Sequence, residues 1–335
     1  MENTRNYDEC LAKLNALKEE MLNTKKDASA EERKAEEAYS RAFTNMLHTG
    51  LPSVALNKGN DSTGGFFVPN TFEKKIVRGL AEKNLLRKLG TVMQTNKRMK
   101  IPTVIENGQA TWIPEGEPVP VAEANYDEIV LDAYKLAHKI IVSDEMLEDA
   151  DFDVEDYIQQ LFVESISSAE EAAFFTGDGN GKPVGLIRQA SVGCISENAG
   201  KINYDDILNL IHSVKAPYRK NAVLIMSLDA ATKLACIPHY HGDTAWEVPL
   251  TKDVHKKLFG YPVYISNHLD DVATGSKPVL FGDFSYFWIG ERGKRSVKRL
   301  VERYADHGQV AYITSERVDA KLVLPEAIKC LEVKA

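Results

Sequence analysis

Residues 126–185 read YDEIVLDAYKLAHKIIVSDEMLEDADFDVEDYIQQLFVESISSAEEAAFFTGDGNGKPVG, and this stretch decides the fold. Apolar and polar residues alternate from Tyr126 until the wholly apolar residues 140–142, and this period of two predicts a strand. At ~3.3 Å per residue, a strand over 126–142 would extend about 50 Å, against about 17–20 Å for a usual strand. A strand of that length exceeds what one core needs, so we expect part of it to project.

A long helix is predicted directly after this strand. Ser143 and Asp153 are candidate N-caps, and the acidic residues near them suit the positive end of a helix dipole. A helix over 153–176 would extend ~36 Å. Its apolar stripe would consist of Val154, Ile158, Leu161, Ser165, Ala169 and Ala172. We predict that this helix is the spine of a compact body.

The composition is that of a globular protein. The chain has 335 residues, 44% of them hydrophobic and 27% charged, which is enough for about two domains. The net charge of −8 argues against a protein that wraps nucleic acid over a large surface, because that affinity comes from many Lys and Arg residues. Contact with a packaged polyanion remains compatible with this charge.

Cysteine usage and the apolar runs indicate where the protein resides. The cysteines at 10, 194, 236 and 330 form no CxxC pair, so we predict reduced intracellular thiols rather than a zinc ribbon or a disulfide framework. The N-terminal residues carry no signal pattern, and no run of 18 apolar residues occurs. We therefore expect a cytoplasmic product with no membrane partner.

The N-terminal region differs in character from the rest of the chain. Residues 1–48 contain two amphipathic segments, the second carrying Ala35, Ala38, Tyr39, Ala42, Phe43 and Met46 at helical spacing. One interpretation is a helical hairpin packed on its own body, and the other is a coiled coil between copies of the chain. Turn-forming residues over 49–65 predict a flexible arm.

Residues 101–135 are predicted to form an acidic hairpin. Asn107-Gly108 is a strong two-residue turn signal, and the prolines at 114, 118 and 120 belong at an edge or a tip. No Lys or Arg occurs between Ile101 and Tyr134, whereas acidic residues are frequent. The preceding segment predicts a helix whose outer face is cationic, from Lys74, Lys75, Arg78, Lys83, Arg87 and Lys88.

Several motifs, taken in order, resemble one family. They are GGFFVP at 64–69, IPT at 101–103, ATWIPEG at 110–116, VSDEML at 142–147, AFFTGDG at 173–179, PVGL at 183–186, LFGDF at 280–284 and SERV at 315–318. This ordered set is similar to the major capsid (coat) proteins of tailed bacteriophages, the Hong Kong 97-like family. The match covers about residue 64 to the C-terminus.

The resemblance implies an α+β fold of the Hong Kong 97-like capsid type. The implied parts are a helical, scaffold-like extension (1–48), a flexible arm (49–72), a peripheral domain with the spine helix (73–100 and 136–185), an extended loop (101–135), an axial domain (186–275), further peripheral strands (276–317) and a return to the axial domain (318–335). The extension is short for a full scaffolding role.

The same resemblance implies the protein's partners. Copies of the chain would form pentamers and hexamers that close an icosahedral shell around double-stranded DNA, assembled in the bacterial host cytoplasm. The DNA contact would be non-specific, and a portal, a scaffolding protein or a head protease are expected partners. Some members crosslink a loop Lys to an Asn near the C-terminus with help from a Glu. Because the loop here lacks Lys, and the C-terminal counterparts fall near Gly308 or Gln309 and Ser315, we predict a noncovalent shell.

The candidate catalytic and binding motifs have plainer interpretations. GDGNGK at 177–182 is followed by Pro183 and ends a helix, whereas a Walker loop needs Ser or Thr after its Lys and begins one. We interpret these glycines as a helix terminus, and the Asp-x-Asn spacing lacks the closing Glu of an EF-hand.

Two further groups are weak candidates for chemistry. His239, His241 and Asp243 lack metal-ligand spacing and are interpreted as surface residues. Glu115 and Glu117, at an exposed tip, lack the enclosure that separates catalytic pKa values. We therefore predict no enzyme, no metal and no cofactor.

Charge patterning suggests an inter-subunit contact. Arg292, Lys294, Arg295, Lys298, Arg299 and Arg303 are opposed only by Glu302, while the hairpin is acidic. Complementary patches orient association, so the hairpin of one copy is predicted to lie near this segment of a neighbour. The predicted contact residues are Trp112, Glu115, Glu117, Glu123, Asp127, Glu128, Arg292, Lys294, Arg295, Lys298 and Arg299. Alternatively, the basic segment is solvated or faces DNA.

Two other protein classes fit parts of the sequence. An encapsulin-like compartment shares the fold family but carries enzyme cargo, and the N-terminal extension and arm favour a viral shell over it. A soluble α/β enzyme is a third interpretation, which the lack of a recognisable catalytic motif disfavours.

Overall fold

The computed structural model describes residues 34–47, 66–67, 70–106, 125–148, 154–237 and 257–335. The chain divides into two compact units. The first comprises Met1–Ile76, Lys139–Gln159 and Ser296–Ile313, and the second comprises Val77–His138, Gln160–Arg295 and Thr314–Ala335.

The helices of the described residues vary from single turns to the long helix that follows the predicted strand. In chain order they are α1 (34–47), α2 (Asn70–Lys83), α3 (Leu85–Leu89), α4 (Asp144–Glu148), α5 (Val154–Thr176), α6 (Leu186–Gln189), α7 (Tyr204–Ser213), α8 (Ala216–Arg219) and α9 (Leu228–Ala235). Within this described part, no helix has both the length and the apolar content to cross a membrane.

The strands of the same residues include one of 14 residues, β13. In chain order they are β1 (Phe66–Phe67), β2 (Thr91–Thr95), β3 (Met99–Glu106), β4 (Asn125–Leu131), β5 (Tyr134–Ser143), β6 (Ser191–Ile195), β7 (Val223–Met226), β8 (Lys257–Leu258), β9 (Tyr261–Ile265), β10 (Val279–Gly282), β11 (Phe287–Arg292), β12 (Ser296–Leu300), β13 (Gln309–Leu322) and β14 (Ile328–Glu332). Short 3-10 turns lie at Phe284–Tyr286 and Glu302–His307.

The first unit contains α1, β1, β12 and the beginning of β13. Strand β1 pairs antiparallel with β12, placing Phe66 opposite Val297, and β12 neighbours β13. Phe43 and Met46 of α1 are buried. The buried Tyr312 donates its hydroxyl proton to the carbonyl oxygen of Leu47 at 2.5 Å. This end of α1 therefore packs on its own chain, while the first amphipathic segment of the N-terminal region lies outside the described residues.

The second unit contains a sheet with strands buried on both faces. Its order is β6-β14-β10-β7-β9-β8. Leu224 and Met226 pack into one core with α7 and α9, while Val223 and Ile225 pack into another core with Phe174 of α5. Because successive side chains of a strand point to opposite faces, such strands are apolar at every position. In the same unit β11 pairs antiparallel with β13 and parallel with β2.

Helices α4, α7 and α9 begin at side-chain caps, and one of these caps, at Ser143, was predicted from the sequence. Asn203 and Asp206 form a capping box at the start of α7. Ser227 accepts a hydrogen bond from the backbone N–H of Ala230 and begins α9. The side chain of Ser143 accepts one from the N–H of Met146 and begins α4. These caps satisfy N–H groups that have no partner within the helix.

The single strand predicted over 126–142 is wrong, because the structure has two strands. β4 ends at Leu131 and β5 begins at Tyr134. At the apolar end of β5, Ile140 and Val142 are buried but Ile141 is 44% exposed. The alternation itself is correct and continues to the end of β5.

The long helix is confirmed as α5, but its buried stripe differs from the prediction. Ile158 is buried as expected, whereas Ala169 is exposed. The fully buried positions of α5 include Phe162, Ile166, Glu170 and Phe174, which recur at four-residue spacing. The predicted stripe followed small residues, and the aromatic residues define the buried face instead.

Two further predictions differ from the structure. Strand β10 was assigned with the peripheral strands of 276–317, but it pairs antiparallel with β7 and β14. Arg87 was assigned to a cationic outer face, but it is 5% exposed. Both errors have the same cause. The partner of a strand or of a charged side chain is set by residues distant in sequence, which the local sequence pattern does not reveal.

The glycine-rich segment is a tight turn after α5, as predicted. The N–H of Gly177 bonds to the carbonyl of Ala173 at 2.9 Å, and Asp178 forms a bridge with Val184. A Cβ on Gly177 would lie 2.1 Å from the carbonyl oxygen of Pro183. The glycine is therefore required by the close approach of two backbone segments.

Candidate inter-subunit surfaces

The described part of the acidic hairpin is its base. Strands β3 and β4 pair antiparallel, with Ile101 opposite Ile129 and Thr103 opposite Asp127. Lys100 lies 2.7 Å from the exposed carboxylate of Glu128. The acidic side chain of Glu128 is thus neutralised by the facing strand. Four of the predicted contact residues, Trp112, Glu115, Glu117 and Glu123, lie outside the described residues.

The interruption between β4 and β5 is held by a buried carboxylate. The N–H of Asp132 donates to Oδ2 of Asp319 at 2.7 Å, and the N–H of Ala320 donates to Oδ1 at 2.8 Å. Burial raises the pKa of Asp319 despite these two hydrogen bonds, which favour its ionised form. Asp319 therefore fixes the backbone at the base of the hairpin.

The hairpin base also carries cations of its own. Arg98 and Arg292 each lie 3.7 Å from the carboxylate of Asp132. These distances are ion pairs rather than hydrogen bonds. The acidic hairpin and the basic segment therefore already meet, in part, within one chain.

The predicted basic segment separates into exposed and internal side chains. Lys294 is exposed, while Lys298 and Arg299 are half-buried. Arg299 donates from Nε to the hydroxyl of Tyr312 at 3.2 Å and lies 5.9 Å from the centre of its ring. Among these residues, Lys294 has the environment expected of a surface contact.

Assigning Arg295 to a surface patch is wrong. It is 4% exposed and donates from Nη2 to Glu291 at 2.6 Å and from Nε to Glu316 at 2.7 Å. A buried guanidinium needs paired carboxylates, because leaving it unpaired costs several kcal/mol. The basic run therefore includes an internal residue, which the sequence alone does not separate from its exposed neighbours.

Arg295 belongs to a buried charge cluster that sequence reasoning missed. Arg87 donates from Nε and Nη2 to the two carboxylate oxygens of Glu170 at 2.7 and 2.6 Å. Its Nη1 donates to Oε1 of Glu291, the same oxygen that Arg295 contacts. We call these five residues, Arg87, Glu170, Glu291, Arg295 and Glu316, the charge ring.

The charge ring shifts the pKa values of its members in different directions. Burial raises the pKa of Glu170 to about 8, the negative charge of Glu316 acts in the same sense, and Arg87 opposes both. Burial also favours the neutral form of Glu291, but Arg295 and Arg87 together lower its pKa. Glu291 is therefore held ionised between two guanidinium groups.

One sequence signal points to the ring. Glu170 lies four residues after Ile166 and eight after Phe162, so it falls on the buried face of α5. A carboxylate on a buried helix face requires a partner. The partners are distant in sequence, because Arg87 lies 83 residues before Glu170 and 204 before Glu291. Local pattern cannot reveal such pairings.

Metal ligation gains no support from the described ranges. Across them, no group of three or more His, Cys, Asp or Glu side chains is arranged to hold a metal ion. The candidate residues His239, His241 and Asp243 lie outside these ranges.

Comparison with known proteins identifies the family. The model of the phage capsid family matches residues 64–333. The chain belongs to the phage capsid family. The N-terminal extension lies outside this match, in agreement with the region over which the sequence motifs occur.

Two relatives of this capsid-family chain are named major capsid proteins. One, from Klebsiella oxytoca phage phiKO2, is 27% identical over 276 residues, covering 73% of this chain and 60% of the relative. The other, from Escherichia phage T5, is 27% identical over 283 residues, covering 74% of this chain and 58% of the relative. The chain thus spans about three fifths of the length of these relatives.

Solved capsid structures share the fold. The capsid of a native GTA particle, computed with C5 symmetry, has a TM-score of 0.66 and 25% identity, covering 75% of this chain and 90% of the other. The structure titled Microbacterium phage Oxtober96 has a TM-score of 0.59 and 16% identity, covering 75% and 91%. The fold of this capsid-family chain is α+β, of the Hong Kong 97-like type.

Proposed function

We propose that the protein is the major capsid protein of a tailed bacteriophage or prophage. Its copies would assemble into pentamers and hexamers that close an icosahedral shell around double-stranded DNA. The observation that carries this proposal is the family match over residues 64–333, together with the GTA capsid that resembles the chain over 75% of its length. The protein acts as a structural subunit of the virion rather than as an enzyme.

The proposal extends to assembly partners. The principal partner is the chain itself, since a closed shell repeats one subunit around its symmetry axes. A portal, a scaffolding protein and a head protease would act with it in the host cytoplasm, and the packaged DNA would be contacted without sequence preference. The net charge of −8 agrees with a shell that encloses DNA without wrapping it tightly.

We retain the acidic hairpin as an inter-subunit contact, with a narrower basic surface. Arg295 is internal, and Arg292 lies 3.7 Å from Asp132 of its own chain. Because Lys294 is exposed, it is the predicted contact residue that we retain as the partner of a neighbour's hairpin. Lys294→Glu is expected to slow assembly, and Glu117→Lys to restore it, because surface charge acts mainly on the rate and orientation of association.

Two results would contradict the proposed contact between Lys294 and Glu117. Unchanged assembly kinetics in Lys294→Glu would remove Lys294 from the interface. A slow Lys294→Glu variant that Glu117→Lys fails to rescue would place its partner elsewhere. Light scattering as a function of time measures both variants.

Electron microscopy of the purified full-length chain tests the proposed function. We expect closed shells built of repeating capsomers, and single subunits at high concentration would overturn the proposal. Shells from infected or induced cells should contain nuclease-protected double-stranded DNA. Shells that hold protein cargo without DNA would instead indicate an encapsulin-like compartment.

A denaturing gel tests whether the shell is covalent. The loop residues 101–133 contain no Lys, so boiled particles should migrate as single subunits. A ladder of covalent oligomers would refute the noncovalent shell while leaving the capsid function intact.

A further inference from the structure

The charge ring is closed everywhere except at one position. Its hydrogen bonds join Glu170 to Arg87, Arg87 to Glu291, Glu291 to Arg295 and Arg295 to Glu316. The remaining gap lies between the carboxyl groups of Glu316 and Glu170. Every joined pair consists of a donor and an acceptor, whereas this last pair consists of two acceptors.

Glu316 has an oxygen atom that requires a donor. Its Oε2 accepts from Arg295, but its Oε1 is buried and has no hydrogen-bond partner among the residues that the structure describes. An unsatisfied buried acceptor of this kind costs about 1–3 kcal/mol. The carboxyl of Glu170 interacts with Glu316 and can supply the missing hydrogen bond only if one of the two groups is protonated.

The net charge of the ring also indicates that it binds one proton. Two guanidinium groups and three carboxylates, if all were ionised, would leave one excess negative charge. Glu170 is 2% exposed and Glu316 is 6% exposed, so water screens that charge poorly. One proton cancels the excess charge and satisfies the orphaned oxygen.

Other charged groups surround Glu170 without replacing this proton. Glu170 lines a cavity of about 160 Å³ whose walls are mainly apolar, with Lys135 of β5, Lys182 of the glycine turn and Tyr134 also on its lining. Both lysines are exposed, and no hydrogen bond joins them to Glu170 among the described residues. The cavity provides a path by which a proton can reach solvent.

We propose that Glu170 and Glu316 form a proton-binding site that holds one shared proton at neutral pH and thereby completes the charge ring. The proton lies on the carboxyl of Glu170 and satisfies the orphaned Oε1 of Glu316. The site lies where α3, α5, β11 and β13 meet, so its protonation state affects the packing of all four elements. This inference concerns the folded subunit and does not depend on the proposed function.

The direction of the pH effect follows from the raised pKa of Glu170, about 8. The folded chain retains a proton that the unfolded chain releases near pH 4.5. The stabilisation is therefore complete below that pH and is lost as pH rises to about 8. Between these two pH values the site should lower the equilibrium constant for folding about tenfold per pH unit. Above pH 8 this constant should no longer change with pH because of the site.

Denaturant unfolding of the full-length chain between pH 5 and 9, monitored by tryptophan fluorescence, measures this dependence. Glu170→Gln and Glu316→Gln should each remove the site's contribution to the pH dependence of the free energy of unfolding. Either substitution abolishes the shared proton, while the amide can still donate a hydrogen bond. The double variant should show the same pH dependence of the free energy of unfolding as either single variant. Glu164→Gln is the matched control, since Glu164 is an exposed residue of α5 that lies 3.5 Å from Lys83, and it should keep the wild-type slope.

Infrared spectroscopy of the wild-type chain provides a readout that requires no variant to fold. A protonated carboxyl band should be present at pH 6 and disappear with a midpoint near pH 8. Absence of a band with that midpoint, or a wild-type slope in Glu170→Gln, would overturn the proposal. Stability that depends on sodium concentration at constant ionic strength would overturn it too, because a cation would then satisfy Glu316.

Discussion

Asp319 accepts a hydrogen bond from the backbone N–H of Asp132 at 2.7 Å, at the point where the long strand predicted from the sequence is interrupted. β4 ends one residue before this contact and β5 begins two residues after it. An interrupted strand leaves backbone groups without a ladder partner, and the carboxylate of Asp319 substitutes for one. The base of the hairpin is therefore defined by a side chain from β13.

Asp319→Ala should loosen the base of the hairpin. It removes the acceptor of the Asp132 and Ala320 N–H groups, and we expect a loss of about 1–3 kcal/mol in the free energy of unfolding. Amide hydrogen exchange at Asp132 should accelerate. The exposed Asp271→Ala is the control and should change neither quantity. Unaltered exchange at Asp132 in the Asp319 variant would contradict this role.

Arg295→Met should destabilise the second unit far more than the neighbouring Lys294→Ala. The first change leaves Glu316 without its guanidinium partner, at an expected cost of about 3–5 kcal/mol, whereas exposed Lys294 should cost less than about 0.5 kcal/mol. Denaturant unfolding measures both values. Adding Glu316→Leu to Arg295→Met should recover part of the loss. Equal effects of the two single variants would show that Arg295 is not internal.

Gly177→Ala should be among the most damaging substitutions in the turn after α5. The added Cβ would lie 2.1 Å from the Pro183 carbonyl oxygen, and backbone on both sides leaves no room to relax. We expect a loss of at least about 3 kcal/mol in stability. Gly181→Ala provides the comparison, since its Cβ meets nothing within 4 Å and only its φ of +68° carries a cost, of about 1–2 kcal/mol. A reversed order would refute the steric argument.

Tyr312→Phe should release the end of α1. The substitution removes the hydroxyl that donates to the Leu47 carbonyl, and a buried acceptor left without a donor costs about 1–3 kcal/mol. Limited proteolysis within residues 34–47 should become faster. Tyr304→Phe, which removes a hydroxyl that accepts from Lys139, should leave the cleavage rate unchanged. Wild-type resistance to cleavage in the Tyr312 variant would show that the hydrogen bond to Leu47 does not hold this helix.

Much of the fold can be predicted from local pattern. The spacing of residues in α5, the caps at Asn203 and Ser227 and the glycine turn all follow from interactions within a few residues of the chain. The ordered motifs between residues 64 and 318 then indicate the capsid fold, because an ordered set is more specific than any one motif.

The charge interactions could not be predicted in the same way. Arg87, Arg295 and Lys294 each lie next to another cationic residue in the sequence, yet the first two are buried and the third is exposed. Their environments depend on partners brought together by tertiary structure from 83 and 204 residues away in one case. Likewise, the Asp132–Asp319 hydrogen bond joins residues 187 apart, so the break in the long strand has no local signal.

In the charge ring, each guanidinium serves two carboxyl groups. Replacing one member therefore leaves a buried charge without its partner. Replacing an arginine and a glutamate together by apolar residues of similar volume avoids that cost. The five positions should accordingly change together during evolution. Closely related chains should carry either all five charged residues or apolar residues at both positions of a pair.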